Sequence, residues 1–142
     1  MYLQDWNTQV EVTSDNRLFK HIKTKFNFEN YLKINNKCFR TSISKVRLSS
    51  HCFNIERGRW GANKLAMDDR ICEVCNVVES EYHTLIKCPR FNNERNGLLT
   101  IDLMKDPSFF NFLRYIKSEN KYELRKLGLL CSKILKEYRE YL

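Results

Sequence analysis

Residues 72 to 88 read CEVCNVVESEYHTLIKC, which sets Cys72, Cys75, His83 and Cys88 at the spacing C-x2-C-x7-H-x4-C. Thiolate sulfur and imidazole nitrogen are the donors a zinc ion takes in a tetrahedral shell. Two cysteines two residues apart suit one ion, because a tight turn aims both sulfurs inward. The next gap reaches round to His83, and Cys88 follows a little over one helical turn later. Four protein ligands close the shell. A catalytic zinc usually holds three and keeps a water, so the count points to one structural Zn2+. The order found in zinc deaminases, His-x-Glu ahead of Pro-Cys-x-x-Cys, does not occur here. A disulfide pattern and free thiols are the competing readings.

The other thiols, Cys38, Cys52 and Cys131, are scattered and read best as small buried hydrophobes. His51 and Cys52 are neighbours, but adjacent residues on an extended chain point to opposite faces and make a poor nucleophile pair. His51 reads instead as a packed or capping residue. Asp68-Asp69 lies in AMDDRIC without flanking strands and reads as a turn or cap rather than a metal-binding catalytic pair. No catalytic residue emerges, so the expectation is a non-enzyme. The first residues, MYLQDWNTQVEV, have no basic segment leading into an apolar run, and no stretch of about 18 apolar residues follows anywhere. The expectation is an intracellular chain, nuclear or cytoplasmic, neither secreted nor bound to a membrane. Thiols stay reduced there, which weakens the disulfide reading.

The net charge is +8, and it is unevenly spread. Residues 16 to 65 carry 12 basic residues against Glu29 and Glu56, a balance of +10. Such a stretch fits a polyanion, although a solvated face that keeps the chain soluble is the bland alternative. Arg57 and Arg59 flank Gly58, with Trp60 next. Phosphate contacts with base stacking on Trp60 are one reading, and Trp60 packed beneath the metal site is the favoured one. Arg47, Arg57, Arg59, Lys64, Lys87 and Arg90 are the candidate contacts to RNA or DNA.

These residues must be positioned mostly by helices. Only 4 Gly and 2 Pro punctuate 142 residues. Apolar side chains recur at helical spacing over residues 2–12 (Leu3, Trp6, Val10), after Asn16 (Leu18, Phe19, Ile22, Phe26), after Asn27 (Phe28, Tyr31, Leu32, Ile34) and through Phe39, Ile43, Val46 and Leu48. Periodicity fails from Ser49 to about Arg70, which reads as extended and looped. A tight hairpin knuckle should follow, then a helix over ESEYHTLIK and another from Pro89 through Leu99. Ile71, Val74, Leu85 and Ile86 should make a small core about the ion. Asp106 and Pro107 signal a helix start as N-cap and N1, with Phe109, Phe110, Phe112, Leu113 and Ile116 beyond. Leu124, Leu127, Cys131, Ile134 and Tyr138, widened by Leu130 and Leu135, predict a long amphipathic helix packing on its own domain.

Around the ligands the chain resembles the carboxy-terminal zinc-binding region of non-LTR retrotransposon reverse transcriptases. An R-x-S-x-H…E-x-G-R-W block (Arg47, Ser49, His51, Glu56, Gly58, Arg59, Trp60) precedes the knuckle, and a C-P-x-aromatic…R tail (Cys88, Pro89, Phe91, Arg95) follows it. Residues 45 to 95 carry the match, with Trp6, Lys23 and Glu29 to Leu32 fitting more loosely. The spacing differs from the retroviral zinc knuckle, whose middle gap is shorter. The resemblance implies a nucleic-acid-handling module, a fragment or descendant of such a protein, without the paired aspartates of a polymerase and without catalysis of its own.

The expected fold is mainly α, with a small zinc knuckle of short β-hairpin plus helix in its middle. Residues 1–50 form a basic helical segment, 51–100 the extended block and CCHC knuckle, and 101–142 the amphipathic helices, as one compact unit. The rival function is a structural zinc domain whose residues 107–142 dock on a protein partner.

Overall fold

The computed structural model describes residues 17–60, apart from 24 and 26, and residues 64–139. The expected helix over 2–12 with Trp6, the Asn16 cap, Phe26 and Gly61 lie outside the described residues.

Two helices make the centre. α2 (Lys37–Arg47) and α7 (Lys121–Arg139) pack along each other. α2 starts where Asn36 accepts a hydrogen bond from the Phe39 N–H, an N-cap that satisfies one orphan donor of the first turn. It buries Ile43 and Val46, whereas Leu48 is exposed. α7 buries Leu124, Leu127, Leu130, Cys131, Ile134, Leu135 and Tyr138, the stripe its spacing predicts. Gly128, an apparent break in that stripe, is a point of close approach. A Cβ there would stand 2.5 Å from the Phe39 Cβ. The absent side chain is what lets the two helices meet.

Shorter pieces cover this pair: α1 (Arg17–Ile22), α3 (Asn54–Arg57), α4 (Asn92–Arg95), α5 (Ile101–Lys105) and α6 (Phe109–Ile116). Several expectations shift here. The helix after Asn27 is only a 3-10 turn, Asn30–Lys33, which buries Tyr31 and Ile34 and leaves Phe28 and Leu32 exposed. The helix from Pro89 is a 3-10 turn followed by α4 and ends at Arg95. α6 starts two residues later than read, because the Ser108 side chain accepts from the Asn111 N–H. Asp106 is extended, as the residue before a proline must be. Phe109 and Phe110 are exposed, and Phe112, Tyr115 and Ile116 form the buried face.

Among the described residues there is no strand. The expected knuckle hairpin reduces to one antiparallel bridge between Ile71 and Val78. Trp60 is 64% exposed rather than packed beneath the knuckle. The aromatic anchors on that side are Phe53, Phe91 and Tyr138, whose rings lie 4.9 and 5.9 Å apart about Tyr138.

Candidate metal centre

The turn from Cys72 to Val77 is closed by its own backbone. The Cys72 N–H donates to the Val77 carbonyl at 2.7 Å, and the Asn76 N–H donates to the Cys72 carbonyl at 2.8 Å. Asn76 takes the left-handed conformation, φ 59°, which asparagine tolerates better than most residues. This turn holds Cys72 and Cys75. Ser80 then starts the helical segment, its hydroxyl accepting from the His83 N–H at 3.2 Å.

His83 and Cys88 come together by a device the spacing alone does not contain. Residues five apart on an α-helix stand about 140° apart round the axis. Here the chain forms a π-helical turn, His83–Lys87, and the Cys88 N–H donates to the His83 carbonyl at 2.8 Å. A turn closed over five residues is wider, so the two side chains return to one side.

The four ligand atoms lie within 4.8 Å of one another. Sγ of Cys88 stands 3.7 Å from that of Cys72 and 3.9 Å from that of Cys75. Sulfurs bound to one zinc at ~2.3 Å are ~3.8 Å apart at a tetrahedral angle, whereas a disulfide needs ~2.05 Å. All three are free thiols. Nε2 of His83 is buried with no hydrogen-bond partner, a costly state for a polar atom unless something binds it. Burial, followed by the charges of Arg95, Arg90 and Lys87, holds the imidazole below its usual range, so it is neutral and its lone pair is available. Burial also pushes the Cys88 thiol up to about 11. The donor set and its geometry fit a Cys3His metal site. Leu85 and Ile86 are buried beside it, but Ile71 and Val74 are exposed, so half of the expected apolar shell faces outward.

Polar groups complete that shell. Glu79 and Glu81 lie between the ligands in sequence and are 2% and 3% exposed. Glu81 accepts from Ser49 Oγ at 3.1 Å and contacts Nε2 of His51 at 2.8 Å. Glu79 accepts from the Asn54 N–H, from Asn54 Nδ2 and from the Tyr138 hydroxyl. The knuckle is thereby tied to the block before it and to α7. Arg95 spans the π turn, donating to the carbonyls of Leu85 (2.7 Å), Thr84 (3.1 Å) and Cys88. Burial lowers the affinity of this guanidinium for its proton, and Cys88, Glu94 and Cys75 oppose that. Spacing marked the four ligands. Nothing in the sequence marked Glu79, Glu81 or Asn54 as their supports beyond the placing of two acids between the ligands.

The candidate phosphate contacts separate into three groups. Arg47 is 3% exposed, pairs with Glu29 at 3.0 Å, donates to the Ile116 carbonyl and lies over the Tyr31 ring. Its charge is used inside the fold. Arg59 pairs with Glu56 at 3.1 Å and stands over the Trp60 ring at 5.2 Å, and Arg90 donates to the Tyr138 hydroxyl at 2.6 Å. Arg57, Lys64 and Lys87 are exposed. Arg57 and Arg90 also line a cleft of about 490 Å3 between the knuckle and α7, together with Glu73, Glu79, Glu94 and Glu137. Four carboxylates against two guanidiniums make that cleft a poor phosphate seat. No helix among the described residues is long and apolar enough to cross a membrane. Compared with family models, curated proteins and solved structures, the chain matches none of them.

Proposed function

We propose that the protein is a zinc-stabilised module that binds RNA or DNA through phosphates, without catalysis of its own, inside the cell. We further propose that it is a fragment or descendant of the carboxy-terminal region of a non-LTR retrotransposon reverse transcriptase, on the block and tail motifs around the ligands. The observation that carries the reading is the Cys72, Cys75, His83 and Cys88 cluster with its unpartnered His83 nitrogen, beside a segment of charge +10. Zn2+ would neutralise repulsion among three thiolates and fix a turn too short to fold unaided. Exposed Lys64 and Lys87 supply phosphate contacts, and Trp60 with the Arg59 guanidinium over its ring offers a face for an unpaired base.

The test is fluorescence anisotropy of the zinc-loaded protein with a structured RNA and a single-stranded DNA at ~50 and ~200 mM salt. A footprint of about six phosphates loses roughly 10³ in affinity over that range. Lys64→Ala and Lys87→Ala should each lower the salt slope by about 1. No binding at the lower salt sinks the reading. It would favour the second one, docking on a protein partner, for which Ile101, Met104, Phe109 and Phe110 on α5 and α6 are the exposed apolar candidates.

A further inference from the structure

Arg95 is 6% exposed, and the oxygens that accept from its guanidinium are all neutral: three backbone carbonyls and the Asn92 side-chain amide. It forms no ion pair among the described residues. Arg47, 3% exposed, has a carboxylate at 3.0 Å. A buried charge without a counter-charge is costly, so the difference between these two arginines calls for an explanation. The negative groups that act on Arg95 are Cys88, the neighbouring Glu94 and Cys75; two of the three are candidate ligands, and Arg95 bonds the carbonyl of one of them, Cys88. Three thiolates, one neutral imidazole and one divalent cation sum to a charge of −1.

We propose that Arg95 is the counter-cation of the metal centre. It balances the surplus thiolate charge of a divalent Cys3His complex while its hydrogen bonds hold the π turn that brings His83 to Cys88. This makes Arg95 a positioning and charge-matching residue, not a ligand. The inference rests on the metal part of the proposed function. Partners next to ligands of this kind set metal affinity, and their loss typically costs 10–100-fold.

The experiment is a competition titration of Zn2+ between a colorimetric chelator and the full-length chain, for wild type, Arg95→Lys, Arg95→Gln and Arg47→Met. Wild type that binds no Zn2+ overturns the metal reading and this inference together. With wild type binding, Arg95→Gln is expected to lose 10–100-fold in affinity. Arg95→Lys keeps the charge and should lose less. Arg47→Met should lower the unfolding midpoint yet keep the wild-type affinity. Failure of Arg95→Gln alone to fold at saturating Zn2+ counts for the charge. Three results overturn the inference with the metal site intact: Arg95→Gln binding like wild type, Arg95→Lys losing as much as Arg95→Gln (or failing to fold with it), and Arg47→Met losing as much as either.

Discussion

Along α7 the buried side chains are nearly all apolar, whereas around the candidate ligands Glu79, Glu81, His83, Thr84 and Arg95 are buried with them. In the first region burial is non-directional. Leu127, Leu130 and Ile134 need only volume and contact, each worth roughly 1.5–3 kcal/mol. In the second, each buried polar atom needs a particular partner, and one left unpaired costs about 1–3 kcal/mol. Short apolar stretches could not close the knuckle by themselves, since Ile71, Val74 and Val77 stay exposed. One half of this molecule is held by volume and contact, and the other by particular polar partners.

Removing the metal should have the largest effect. Structural zinc contributes on the order of 10–16 kcal/mol in small fingers. Chelation, or Cys72→Ser, should therefore unfold residues 71–91 while α2 and α7 keep their amide protection, as read by hydrogen exchange. Loss of both regions in one transition would mean that they are a single cooperative unit. Thiol labelling gives a second view. Exposed Cys38 reacts with or without metal, whereas Cys72, Cys75 and Cys88 react only after chelation. Cys131 should resist throughout, because burial pushes its thiol up to about 12.

Ile134→Ala comes next. A cavity in the α2–α7 core should cost about 2–5 kcal/mol in denaturant unfolding, with Zn2+ affinity of the folded protein unchanged. Gly128→Leu attacks the same seam from the other side. Its Cβ would meet Phe39 at Cβ and Cα, which yield only if the α2 backbone moves, so the cost should be at least about 1–3 kcal/mol. Glu81→Ala should cost a similar amount by leaving Ser49 and His51 without their acceptor. Unlike the α7 changes, it should also weaken Zn2+ binding. An unchanged affinity would detach this carboxylate from the site. Trp60→Ala is the smallest in stability, within about 0.5 kcal/mol for so exposed a residue, and should be visible only in affinity for single-stranded nucleic acid.

Much of this was legible from residue order. The α7 stripe follows from 3-4 spacing, and every member of it is buried. The ligand set follows from donor chemistry, and its four atoms do converge. Elsewhere the same reasoning misplaced side chains. Spacing puts Phe28, Phe109 and Phe110 on apolar faces, yet Phe28 precedes a single 3-10 turn, and Phe109 and Phe110 stand at the start of α6, whose buried face begins at Phe112. Size and position make Trp60 an expected anchor, but Phe53, Phe91 and Tyr138 fill that role.

By itself the sequence determined the helical class and the identity of a four-donor set, because periodicity and ligand spacing are local properties of the chain. Only the tertiary structure decided which arginines face water. Arg47 is claimed by a carbonyl 69 residues away, and Glu79 is claimed by a tyrosine 59 residues away. Whether a charge is available is a matter of what folds against it, and that partner can lie anywhere in the chain. The π turn belongs to the same class. The gap between His83 and Cys88 allows either helical geometry, and the fold holds the π turn, spanned by Arg95, in which both come to one side.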